Sequence, residues 1–134
     1  MSGAQISVLV AALALGGCGI LVMWLSRRGG DGRLPRNQVA GVRTSLTLSS
    51  DAAWDAAHRA SARATAIAGW GPIMGGAAAA VLIVVSPASE PVMITAAVVL
   101  LAGAGWLIAW ALVGAAQAQR AARSITDHDK LDRP

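Results

Sequence analysis

Charged and apolar residues fall in long separate blocks along this chain. Three stretches, 6–25, 64–85 and 92–116, contain no Asp, Glu, Lys, Arg or His. They hold 20, 22 and 25 residues, half of the 134. Twenty residues at about 1.5 Å each give roughly 30 Å, the thickness of a bilayer's hydrocarbon core. Inside lipid a backbone must satisfy its own hydrogen bonds, so each block predicts a helix. The expected fold class is all-α: three transmembrane helices with a cytoplasmic loop carrying an amphipathic helix. The expected organisation is one membrane domain over 1–134. It comprises a first span at 6–25, a signature loop at 26–63, spans at 64–85 and 92–116, and a tail at 117–134. The six residues 86–91, SPASEP, make a tight turn, so the second and third spans form an antiparallel hairpin.

Composition agrees with this pattern. Hydrophobic residues make up 55% and charged residues only 13%, about half the usual share in soluble domains. That argues against a soluble globular fold and against disorder. The net charge of +4 would suggest nucleic acid in a soluble chain. Here the basic residues flank the spans, and no nucleic-acid partner is expected. Arg27, Arg28, Arg33, Arg36, Arg43, Arg59 and Arg63 lie in the long loop, and Arg120, Arg123, Lys130 and Arg133 in the tail. None precedes the first span and none lies in the 86–91 turn. The positive-inside rule therefore puts loop and tail in the cytoplasm and the N-terminus outside, in a bacterial inner (plasma) membrane. Residues 1–5 carry no positive charge, so the first span reads as retained rather than cleaved.

Small residues supply the packing expectation, because lipid gives helices no hydrophobic drive to associate. Ala12 and Gly16, Gly71 and Gly75, and Gly105 and Ala109 are each four apart. Pro72 is expected to kink or loosen the second span. Trp24, Trp70, Trp106 and Trp110 gather towards the expected cytoplasmic ends, as an aromatic belt does.

The loop carries the candidate chemistry. Ser50 is a good N-cap, with Ser49 as the alternative, for a helix from Asp51 that runs on into the second span. On that helix Trp54 and His58 share a face. Asp55 and Arg59 are spaced for an ion pair, and Trp54 is expected to face the lipid interface. Pro35 fixes the chain before Asn37. Gly41 permits a turn that brings Asn37 near Arg43, and Arg36, Arg43 and Arg59 would then form a cationic pocket.

Two histidines, His58 and His128, lie 70 residues apart, and Cys18 is the single cysteine. No metal-ligand spacing occurs, and no metal or cofactor is expected. Ser50 lies two helical turns from His58, too far for a triad with Asp55, so the chain reads as a non-enzyme. No intramembrane charge marks an ion path.

The string LPRN…GVRTSLTLSSDAAWDAAHR closely resembles the signature of the SdpI/YfhL family of small bacterial membrane proteins. Its ordered elements are Pro35 and Asn37, then Gly41, Arg43 and Thr44, then Thr47, Leu48, Ser49 and Ser50, then Trp54, His58 and Arg59. The resemblance implies a multi-pass membrane protein, and the dense polar signature beside the tryptophans suggests a loop that folds into a binding pocket. The family's namesake protects cells from a secreted peptide toxin and holds a repressor at the membrane. The partners this implies are the bilayer itself and a peptide, a lipid headgroup or a cytoplasmic regulator. The alternative is an accessory subunit packing against a larger membrane protein through its small-residue faces.

Overall fold

The computed structural model describes residues 1–86 and 89–131, with side chains described up to His128. Residues 87 and 88 of the hairpin turn, and residues 132–134 with Arg133, lie outside the described residues. The chain is three helices: α1 (Gly3–Gly30), α2 (Asp51–Val85) and α3 (Glu90–Leu131). No strand occurs among the described residues. All three helices are long and apolar enough to cross a membrane.

The helices outrun the bilayer. With 28, 35 and 42 residues they are about 42, 52 and 63 Å long, against roughly 30 Å of hydrocarbon. Their ends follow local chemistry. Ser2 caps α1 through its Oγ, which accepts from the Gln5 N–H, while Gln5 Oε1 accepts from the Ser2 N–H at 2.8 Å. This is a capping box that satisfies two otherwise unpaired donors. Ser50 caps α2, its Oγ accepting from the Ala53 N–H at 3.1 Å. Ser49 instead donates to Leu46 O. Beyond residue 116, α3 continues as helix to Leu131, and His128 rides exposed on it.

The fold divides into two compact units. The first comprises Met1–Val22 and Ile67–Ala109. Its core is Ala12, Ala79, Ile83 and Ala96, and glycines set how closely its helices approach. A Cβ on Gly76 would lie 2.5 Å from Ala12 O, and one on Gly19 would lie 2.6 Å from Gly69 O. Gly103 sits against Gly71 and Gly75, and Gly71 also meets the Trp106 ring. The small faces expected at Ala12/Gly16 and Gly71/Gly75 are thus used inside this unit. The expected third pair is not used: Gly105 faces open space, Ala109 is exposed, and the contact falls on Gly103. The phase of α3 is offset from the spacing chosen. Pro72 does not break α2. It is buried in this unit, and its Cβ would meet a Cβ on Gly19 at 2.9 Å.

The second unit comprises Met23–Ala66 and Trp110–Pro134. Its core is made of alanines. Ala53 and Ala57 on α2 pack with Ala118 and Ala122 on α3, all fully buried, with Val42 and Leu46 of the loop against them. Alanines four apart on both helices let the backbones approach closely.

Candidate functional site

The signature residues come together inside the second unit, and hydrogen bonds between their side chains and the backbone explain how. After Pro35 the chain turns on Asn37. Its Oδ1 accepts from the N–H groups of Val39 and Ala40, and its Nδ2 donates to Pro35 O. Such a side chain replaces a backbone partner in a tight turn. Gly41 follows with φ +103°, a region that side chains avoid. Arg43 then reaches back to donate to Gln38 O, beside Asn37. Thr44 and Thr47 lock the next turn reciprocally. The Thr47 N–H donates to Thr44 Oγ1, and the Thr44 N–H donates to Thr47 Oγ1. Thr47 Oγ1 also donates to Val42 O at 2.8 Å, and its side chain is fully buried.

Trp54 and His58 join this loop to α2. The Trp54 ring is 1% exposed, and its Nε1–H donates to Leu34 O at 2.7 Å. The expectation that Trp54 faces lipid is therefore corrected: the loop folds over the indole and takes its one donor. The His58 ring packs on Trp54 with centroids 4.1 Å apart. His58 Nε2 accepts from the Val42 N–H at 3.1 Å, which leaves Nδ1 to donate to Trp54 O at 2.8 Å. The two bonds require the neutral ring with its proton on Nδ1. A Cβ on Gly41 would collide with His58 Nε2, so this glycine is needed for space as well as for its φ. From α1, Gly29 packs against His58 and Gly30 against Ala62, while Ser26 Oγ donates to Ala62 O at 2.6 Å.

The arginines have separate roles. Arg36 pairs with Asp51 at 2.9 Å and donates to Leu48 O. Arg59 lies over Gly32, where a Cβ would sit 2.9 Å from its Nη2. The expected Asp55–Arg59 pair does not form: among the described residues the ion pair is Arg36–Asp51. Nor do these contacts gather Arg36, Arg43 and Arg59 into one cationic pocket. What forms instead is a groove of about 430 Å³ lined by Gly32, Leu34, Pro35, Arg36, Asp51, Trp54 and Asp55. Its polar lining is one guanidinium and two carboxylates, a set suited to recognition by charge, with the buried Trp54 indole behind them. No group of three or more His, Cys, Asp or Glu among the described residues could hold a metal.

Sequence reading missed Ser26, Gly29 and Gly30, and the alanines 53, 57, 118 and 122. A signal existed for the alanines, which repeat at i and i+4 on both helices. Gly29 and Gly30 carried none, since Gly-Gly followed by Asp-Gly is loop composition.

A family model described as the SdpI/YfhL protein family matches residues 33–114. That span covers every signature residue above, all of α2 and more than half of α3. No curated protein and no solved structure matches the chain.

Proposed function

Since the chain belongs to the SdpI/YfhL protein family and is an integral, multi-pass membrane protein, we propose that its loop unit is a non-enzymatic recognition module. In this reading it serves resistance to a membrane-active peptide, or signalling through a cytoplasmic partner, in a bacterial inner membrane. Loop and C-terminal end face the cytoplasm, where the basic residues lie.

One observation carries this reading. The signature side chains spend their hydrogen bonds on holding a single loop conformation, and the result is a preformed groove. A segment that only fixed topology would need positive charge, not a buried Trp–His pair and two successive side-chain-locked turns. The accessory-subunit alternative draws less support, because Gly19, Gly71, Gly75 and Gly76 are occupied within the first unit.

The test is survival of cells challenged with a membrane-active peptide, with and without the protein. Expression is expected to raise survival. Asp55→Asn, which neutralises a groove carboxylate without touching a hydrogen bond, is expected to reduce protection while leaving helicity and melting temperature unchanged. Protection that is absent, or undiminished in Asp55→Asn and in Arg43→Ala, refutes the reading.

A further inference from the structure

We propose that the C-terminal part of α3 carries a site for the phosphate headgroup of an anionic phospholipid, built by Gln119, Arg120 and Arg123. The inference rests on the helix crossing the bilayer and not on the resistance reading.

Three observations converge. First, these residues line a concavity of about 280 Å³ together with Ala115 and Ala116. Second, the charge is unspent. The ion pair among the described residues is Arg36–Asp51, and neither Arg120 nor Arg123 makes a hydrogen bond or ion pair with a described residue. Two guanidiniums one helical turn apart offer forked donors matched to phosphate oxygens, and the Gln119 amide adds a neutral donor.

Third, the depth is right. The apolar run ends at Ala116, before Gln117, and the first charge after it is Arg120. Gln119 to Arg123 lie about 4 to 10 Å further along the helix axis, which spans the headgroup layer of one leaflet. The apolar end of the concavity, Ala115 and Ala116, is then on the acyl side and the guanidiniums on the phosphate side. The neighbouring stripe of α3, Gly114, Ala118 and Ala122, is buried against α2, so the site lies on a face beside that contact.

The experiment uses the full-length chain in mild detergent. It is titrated with phosphatidylglycerol or with phosphatidylethanolamine of the same acyl chains, and bound lipid is counted by native mass spectrometry. Phosphatidylglycerol is expected to be retained in preference. Arg120→Gln/Arg123→Gln is expected to lose roughly tenfold or more in affinity. The control Arg27→Gln/Arg33→Gln removes the same charge elsewhere and is expected to keep the lipid; circular dichroism checks that both variants fold. Equal retention of the two lipids, or equal loss in the two double variants, overturns the site. Displacement of the lipid by inorganic phosphate overturns the lipid as its occupant.

Discussion

At the scale of single residues, Gly41 and His58 form the tightest constraint in the loop. Gly41 carries φ +103° and also lies where any Cβ would strike the His58 ring. Gly41→Ala therefore suffers backbone strain and loss of the Val42–His58 hydrogen bond together. A melting experiment in detergent should show about 1–3 kcal/mol of lost stability, whereas Gly3→Ala, with nothing near its Cβ, should leave melting unchanged. His58→Ala is expected to cost a similar about 1–3 kcal/mol, because it leaves the Val42 N–H without its acceptor. A neutral His58→Ala would mean that the loop holds without its link to α2. Sequence alone placed both residues in one motif and put His58 on a face with Trp54. It could not show that they touch, because the contact is between a side chain and a backbone N–H sixteen residues apart. Spacing rules reach neighbours on one helix, not partners across a turn.

Elements were more legible than their faces. Ser50 followed by Asp51 marks a helix start by cap and dipole, and α2 begins at Asp51. Ser50→Ala should remove the Ala53 N–H acceptor and cost about 1 kcal/mol, read as a lower melting temperature, with Ser49→Ala costing less. The capping box at Ser2 and Gln5 went unread, although Ser-x-x-Gln signals it. The rotation of α3 carried no such signal. Gly103 and Gly105 both sit in an apolar run with no polar face to set the phase. Only packing distinguishes them: a Cβ on Gly103 would lie 2.9 Å from Gly71 O, and one on Gly105 meets nothing. Gly103→Ala is accordingly expected to destabilise, while Gly105→Ala should be neutral or slightly stabilising. The reverse order would place the α2 contact on the other face of α3. Trp54 misled for a related reason. An aromatic near a span end reads as an interface anchor. Its burial depends on Leu34 folding back over it, which the hydropathy pattern does not encode.

At the scale of the whole molecule, the charge pattern makes one demand on how the chain lies in the membrane. All eleven basic residues fall on the loop and C-terminal segments, with none in 1–5 or 86–91. Each basic residue at the wrong end would work against the bias that sets orientation, so a complete asymmetry favours one topology strongly. Cysteine labelling reads this directly. In a Cys18→Ser background, Ser89→Cys should react with a membrane-impermeant maleimide in intact cells. Ser45→Cys, on the exposed edge of the signature loop, should react only after the membrane is opened. Labelling of Ser45→Cys in intact cells would invert the molecule. The groove at Pro35, Arg36, Asp51 and Asp55 would then meet an extracellular peptide directly, and a cytoplasmic regulator could not reach it. Restriction to permeabilised cells has the opposite consequence. A peptide arriving from outside could then touch the groove only by crossing the bilayer, so protection would have to act on the membrane-inserted toxin or through a partner inside the cell.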